Sequence, residues 1–340
     1  MSDMSKSERR IKIRGVGRYL PKRIVLASEA EALCDIPEGT SSKANGVFER
    51  RWADVEGGET APWMGAQAAN EALEDAGIAV GDIDLIINAS GSHGQMIPDG
   101  ACYIQRELGL QDSGIKCMTV HSTCLSFITA IDVAAAFIAT GQHEKVLIVS
   151  SDIASVGLNK DEAESFTLFG DIAAAAVVVP TPAEEESALH RLLFETYSSG
   201  VDLTTLRGCG STRHPNSANT QREDHYFSMN GPEVLKMAVD LMPPFLARLC
   251  PPHEPKVELV IPHQTSKTGL KVAAKILEQY AGIRSEKMVD IVANYGNCVG
   301  ASIPSALYEA IKTGRLKRGG RMMMVGTGAG LSLGGAVMTY

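Results

Sequence analysis

The chain has 340 residues and a mass of 36.2 kDa, with 44% hydrophobic and 21% charged side chains, which excludes a disordered chain, a collagen-like repeat and a disulfide scaffold. A net charge of −8 and a pI near 5.6 argue against a general nucleic-acid binder. Seven cysteines, at 34, 102, 117, 124, 209, 250 and 298, contain no Cys-x-x-Cys spacing, so neither a metal site nor a disulfide framework is expected.

Met1 to Arg14 is polar and lacks the apolar core of a secretion signal, and the apolar runs at 131–140 and 172–179 fall short of the ~20 residues needed to cross a bilayer. A soluble, cytoplasmic protein with reduced thiols is expected, acting away from membranes. Ala61 to Ala76 has apolar residues at helical spacing, with Glu71, Glu74 and Asp75 on the polar side and Gly77 as the stop. Leu85–Ile87 and Val146–Val149 are short continuous apolar runs, the mark of strands covered on both faces. Between them, Leu125 to Thr140 carries only Asp132 as a charge, which predicts a helix buried nearly all round between two sheets. The polar stretch Ser198 to Asp224 reads as a surface excursion between two halves.

Those halves repeat. Gly81-Asp-Ile-Asp-Leu-Ile-Ile matches Pro255-Lys-Val-Glu-Leu-Val-Ile at an offset of 174, and the stretch from Cys124 matches the stretch from Cys298 at the same offset. Each is followed by a strand, Lys145–Ser150 or Arg321–Val325, and then by a Gly/Ala-rich strand. A tandem duplication is predicted, an α/β chain layered α-β-α-β-α, with halves at 1–180 and 181–340.

Three residues converge on the ends of these elements. Cys124 stands where an extended segment, Lys116 to Val120, enters the buried helix; a thiol at a helix N-terminus is expected to have a lowered pKa. His263 ends the strand Val257–Ile261, where the first half has Ala89, and Asn297 precedes the helix that mirrors the one after Cys124. Singly, these are a small core residue, a surface histidine and an ordinary helix cap. Together a Cys, a His and an Asn on adjoining loops are equipment for acyl transfer, with N–H donors to stabilise an enolate.

Ile-Pro-His263-Gln, Tyr-Gly-Asn297-Cys-Val-Gly, Phe48-Glu-Arg-Arg51, Phe169-Gly-Asp171, Ser228-Met-Asn-Gly-Pro-Glu-Val and the Gly-rich C-terminal strand resemble the thiolase superfamily, and within it the β-ketoacyl-acyl carrier protein synthase III group, over nearly the whole chain. The resemblance implies a duplicated thiolase-like fold and a Cys124-His263-Asn297 triad. Cys124 would take an acyl group, and His263 with Asn297 would assist decarboxylation of a malonyl thioester, giving a 3-oxoacyl product in two steps. It also implies oxyanion donors at the backbone N–H of Cys124 and Ala329, a homodimer, and no cofactor beyond acyl carrier protein or coenzyme A thioesters as substrates.

Several positions depart from that group's pattern. Thr40–Asn45 replaces a Trp and Arg pair that grips coenzyme A, and acidic Asp161–Glu164 stands near a missing Arg. Thr327 stands for a Phe, Tyr295 for a His, and His121 lies three residues before Cys124. A specialised relative is expected, whose acyl donor need not be a coenzyme A thioester held in the usual way.

Lys267, Lys271 and Lys275 recur at i, i+4 and i+8 after His263, a basic stripe that with Lys236 is expected to dock an acidic carrier. The resemblance implies that Met96 and Ile97 reach across the dimer to line the partner's acyl pocket, its width set by Ile97 and by Phe166 or Leu168, with Thr327 also in the expected pocket. Two other readings stay open: acyl transfer to an alcohol or amine, or condensation without decarboxylation; and a silent scaffold or heterodimer partner.

Overall fold

The computed structural model describes residues 8–208 and 210–340; residues 1–7, part of the polar N-terminal stretch, and Cys209 lie outside the described residues. The first half runs β1 (Ile11–Tyr19), β2 (Arg23–Leu26), α1 (Ala27–Leu33), α2 (Thr40–Asn45), β3 (Glu49–Trp52), α3 (Ala61–Ala76), β4 (Leu85–Asn88), α4 (Gly100–Glu107), β5 (Lys116–Thr119), α5 (Ser126–Ala139), β6 (Val146–Asp152), α6 (Ala163–Phe166) and β7 (Ile172–Pro180). The second runs β8 (Ala188–Thr196), β9 (Thr204–Thr205), β10 (Ser228–Met229), α7 (Gly231–Leu249), β11 (Leu259–Pro262), α8 (Lys267–Ala281), α9 (Val292–Tyr295), α10 (Ser302–Lys312), β12 (Arg321–Gly328) and β13 (Ser332–Thr339).

Two sheets carry the fold, ordered β1-β7-β6-β4-β5 and β8-β13-β12-β11. In both, the first two neighbours pair antiparallel and the next pair is parallel. The place of β5 is held in the second sheet by one parallel bridge, Val260 to Met288. The strands of the first sheet end at Pro180 and those of the second begin at Ala188.

Side chains of α5 and α10 fill the space between the sheets, in one core that also takes Ile11, Ile87, Ile148, Ile261 and Met324. Helix α3 packs outside the first sheet, while α7 and α8 cover the second. The order helix, sheet, helix, sheet, helix follows from the sequence: β4 and β6 are buried on both faces, and Asp132, the one charge of α5, is bonded by Arg9 at 2.6 Å. Helix α3 has the predicted bounds, capped by Thr60 and stopped by Gly77 in the left-handed region. Helix α7 escaped the sequence reading; it contains Pro243 and Pro244, which leave the carbonyls of Val239 and Asp240 without helical donors. Among the described residues no helix is long and apolar enough to cross a membrane.

The structure corrects the register of the repeat. Strands β4 and β11 match at 174, but the turns Thr123–Leu125 and Val299–Ala301 and the serines that open α5 and α10, Ser126 and Ser302, match at 176. Ser122 and Cys298 both donate their N–H to a serine four residues on, and Thr123 and Val299 both have positive φ, at 52° and 49°. Cys124 therefore corresponds to Gly300, and Cys298 to Ser122. Two extra residues between strand and turn in the second half account for the shift.

Candidate active site

Cys124 sits in the turn Thr123–Leu125, one residue short of the predicted helix start, with α5 beginning at Ser126. Ser126 fixes the turn: its hydroxyl accepts from Ser122 N–H at 2.9 Å and donates to the Thr123 carbonyl at 2.8 Å. The thiol is deep in the molecule yet keeps part of its surface open to a cavity, so burial acts on its charge while a substrate still reaches it.

The expected lowering of its pKa is not found. Burial, and then the Asp152 carboxylate, push the thiol up to about 12, against the opposing pull of the Cys124 N–H, the Thr123 hydroxyl and the Ala329 N–H. Asp152 is itself pushed up to about 6 by burial, although it accepts from the Gly91, Ser92 and Ala301 N–H groups at 2.7–2.9 Å and from the Ser92 hydroxyl. This aspartate, at the end of an apolar strand, was missed by the sequence reading. Its signal was a charge closing the run Val146–Ser151.

His263 follows β11, and its N–H donates to the Val325 carbonyl at 2.9 Å. Gln264 braces this corner: its amide donates to the Pro262 and Val289 carbonyls and accepts from Ile291 N–H at 2.9 Å. A Cβ at Gly326 would stand 2.6 Å from the His263 Cβ, so only glycine lets β12 pass beside the imidazole. Burial depresses the His263 pKa to about 4, so the ring is neutral at pH 7, and its Nδ1 has no partner.

Asn297 is bridged to Phe169, with its N–H on the Leu168 carbonyl and its carbonyl on Gly170 N–H, both 3.0 Å. Its side-chain Oδ1 accepts from Val299 N–H at 3.0 Å. The amide N–H donors are thereby left for a ligand oxygen in the cavity.

Cys124, His263, Asn297 and Ala329 all line one cavity of about 1230 Å³, which Met96, Leu168 and Thr327 also border. Two expected pocket residues do not. Phe166 packs edge-on against Trp52 at 5.4 Å, and Ile97, expected to reach the pocket of a partner subunit, is 86% exposed on the single chain. Arg50 is fully buried and binds the Thr167 carbonyl at 2.7 Å, fixing the wall next to Leu168. The stretch Ser198–Asp224 is more than a surface excursion: Gly200 is buried against Leu331 and Met237, and Thr204–Gly208 line the cavity.

Among the departures, Thr40–Asn45 forms α2 at the cavity lip, and Glu164 borders the same opening. His121 binds the Gly91 carbonyl through Nε2 at 3.3 Å and stacks on His93 with centroids 4.6 Å apart. Tyr295 lies away from the cavity, under the Arg18 guanidinium. Of the basic stripe, Lys271 and Lys275 are exposed, while Lys267 is half-buried and paired with Asp290; Lys236 is exposed and lies 3.4 Å from Glu233. Among the described residues no group of three or more His, Cys, Asp or Glu is placed to hold a metal ion.

Residues 118–200 match the family model 3-oxoacyl-[acyl-carrier-protein] synthase III, and residues 253–340 match the model of its C-terminal part. The chain is 32% identical over 334 residues to the β-ketoacyl-[acyl-carrier-protein] synthase III of Aquifex aeolicus, covering 97% of this chain and 99% of that protein. It is 31% identical to the protein of the same name from Clostridium acetobutylicum, covering 97% and 98%. The crystal structure of the Aquifex aeolicus synthase superposes with a TM-score of 0.84 at 31% identity, covering 97% of this chain and 100% of that one. A priming β-ketosynthase from the R1128 polyketide pathway, 23% identical with a TM-score of 0.85, shares the fold, covering 100% of this chain and 99% of that one. The duplicated five-layer fold and this full-length identity place the chain in the 3-oxoacyl-[acyl-carrier-protein] synthase III family.

Proposed function

We propose that the protein is an acyltransferase that joins an acyl thioester to a malonyl thioester, with loss of carbon dioxide, to give a 3-oxoacyl thioester. The observation that carries this is the meeting of Cys124, His263, Asn297 and Ala329 in one cavity, with a neutral imidazole and free amide donors beside a thiol.

In the first step the Cys124 sulfur attacks the acyl carbonyl while the carbonyl oxygen takes the N–H groups of Cys124 and Ala329. The thiol rests protonated, so its proton leaves as the new S–C bond forms, and the departing carrier thiolate takes one up. In the second step the malonyl thioester oxygen receives hydrogen bonds from His263 and from the Asn297 amide. The C–C bond to the carboxylate breaks, carbon dioxide leaves, and its electron pair becomes the enolate those donors stabilise. A neutral histidine suits this role, since it donates an N–H without carrying a competing charge. The enolate carbon then attacks the acyl-Cys carbonyl and expels the Cys124 thiolate.

Exposed Lys271 and Lys275, with Lys236 and Lys267, support docking of an acidic acyl carrier protein beside His263. The small polar side chains of α2 at the lip favour a carrier-borne thioester over one held through coenzyme A's adenine. Met96 and Ile97, adjacent and 60% and 86% exposed, support a homodimer that covers them. Incubation with malonyl-carrier and an acyl donor tests the reaction: carbon dioxide release in step with 3-oxoacyl product supports it, and acyl transfer without carbon dioxide release contradicts it.

A further inference from the structure

Asp152 is a buried charge with no part in the steps above. It closes β6, is fully buried, and lines no part of the cavity. Its hydrogen-bond donors are all neutral, and they come from both halves of the chain. Oδ1 accepts from Gly91 N–H at 2.9 Å, Ser92 N–H at 2.7 Å and the Ser92 hydroxyl at 2.7 Å, in the loop that follows β4. Oδ2 accepts from Ala301 N–H at 2.9 Å, in the turn that opens α10.

Each of these contacts leads to a reacting group. Gly91 is pressed against the Cys124 turn, where a Cβ on it would stand 3.0 Å from the Thr123 carbonyl oxygen, and the carbonyl of its neighbour Ser90 accepts from the Ser126 hydroxyl at 3.2 Å. On the other side, Ala301 shares its turn with Val299, whose N–H fixes the Oδ1 of the Asn297 amide at 3.0 Å. The two turns meet over the carboxylate. A Cβ on Gly300 would stand 2.8 Å from Gly91 N, 3.1 Å from Asp152 Oδ2 and 3.2 Å from the Thr123 carbonyl oxygen.

We propose that Asp152 is a positioning residue for condensation: its ionised carboxylate ties the turn bearing Cys124 to the turn that orients Asn297, holding the acyl sulfur in register with the enolate-stabilising amide. The role rests on the acyl-Cys chemistry proposed above. Only the charged form accepts at both oxygens. With three donors on Oδ1, an added proton, or the NH2 of an asparagine, stands at the place of Oδ2 and meets the Ala301 N–H, donor against donor. The Asn297 turn is then released while the Cys124 turn keeps its bonds. Burial pushes Asp152 up to about 6, so the tie opens as pH falls through that value. Four other groups face it. The Cys124 and Cys298 thiols are pushed up by burial and stay neutral there; Asp171 adjoins its strand partner Ile172; and His121, with His93 stacked on it, binds the Gly91 carbonyl.

The test loads the intact protein from acetyl- or octanoyl-carrier thioester, read by intact mass. It then follows discharge, with carbon dioxide release, by malonyl-N-acetylcysteamine, a small thioester that needs no carrier docking. In the wild type the discharge rate should fall about tenfold from pH 7 to pH 5, with a midpoint near 6, while His263, at about 4, stays neutral. Asp152→Asn should still load, since removing the charge eases ionisation of the thiol. Its discharge at pH 7 should be about 10²-fold slower, the cost of a misplacement of about 1 Å, and should no longer vary with pH in this range. His121→Gln should keep the wild-type pH dependence. A flat wild-type profile, a pH dependence that persists in Asp152→Asn or disappears in His121→Gln, or loading and discharge lowered equally in Asp152→Asn would overturn the positioning role and leave the acyl-Cys reading standing. The wild-type profile and His121→Gln decide the outcome on their own if Asp152→Asn fails to fold. No adduct from either thioester would overturn both readings.

Discussion

The two turns that open the buried helices have the same backbone and opposite duties. In each, a residue with positive φ is followed three positions on by a serine whose hydroxyl accepts the N–H of the residue before the turn. The first turn presents Cys124 to the cavity. The second places Gly300 at the matching position, where a Cβ would come within 2.8 Å of Gly91 N and 3.1 Å of Asp152. The halves divide the chemistry the other way at the flanking positions, where His263 matches Ala89 and Asn297 matches His121. Duplication supplied two equivalent frames, and they differ in chemistry: the second half has Gly300 where the first presents Cys124, and the first has buried Ala89 where the second presents His263.

The most severe break in this comparison is Cys124→Ala, which should abolish the acyl adduct and all turnover. Cys298→Ala should retain both, because that thiol is buried against the Tyr295 carbonyl at 3.3 Å and lines no part of the cavity. Next, His263→Ala and Asn297→Ala should each keep the adduct but lower decarboxylative condensation about 10²–10³-fold, the effect of removing a donor to developing charge. Loss of loading in either variant would show that the second half also serves the first step.

A pH measurement sharpens the assignment of His263. Its folded pKa, about 4, lies below its unfolded value of about 6.5. The unfolded chain therefore binds the extra proton between these values. The contribution is full above pH 6.5 and is lost as pH falls toward 4, about 3 kcal/mol in all. Asp152, pushed up, opposes it in part of that window. The slope is therefore read as the difference between the wild type and His263→Gln in denaturant unfolding at pH 4.5 and 7. Equal differences at the two pH values would mean that the imidazole is not desolvated. The smallest expected effect is Gly300→Ala, a loss of about 1–3 kcal/mol from overpacking against Gly91 and Asp152. An unchanged unfolding midpoint would show that the second turn has room for a side chain.

Much of the fold was legible because its signals are local. The apolar runs of β4 and β6 and the nearly uncharged α5 announce elements covered on both sides, and the repeat of such runs announces the duplication. Cys124, His263 and Asn297 were legible because each ends an element at a break in pattern, a place where side chains reach a common opening. The two-residue shift between strand and turn was not, since matching strings are blind to an insertion in the loops between them. The thiol's raised pKa was hidden for another reason: burial and Asp152 act through space, while the sequence shows only the helix start. The faces of α7 and α8 read like any core-facing stripe, and only the packed structure shows that Leu235, Ala238 and Val272 also border the cavity. Phe166 failed as a pocket residue because Trp52, more than a hundred positions away, claims its ring.

The central claim is that one thiol carries the acyl group from the first half to the donors of the second. Intact-mass measurement through one reaction cycle tests it most directly. Incubation with an acyl-carrier thioester should add one acyl group, mapped to the peptide containing Cys124, and addition of malonyl-carrier should remove it while an equal amount of carbon dioxide is released. An adduct that forms on Cys124→Ala, or one on Cys124 that malonyl-carrier never discharges, would contradict the account.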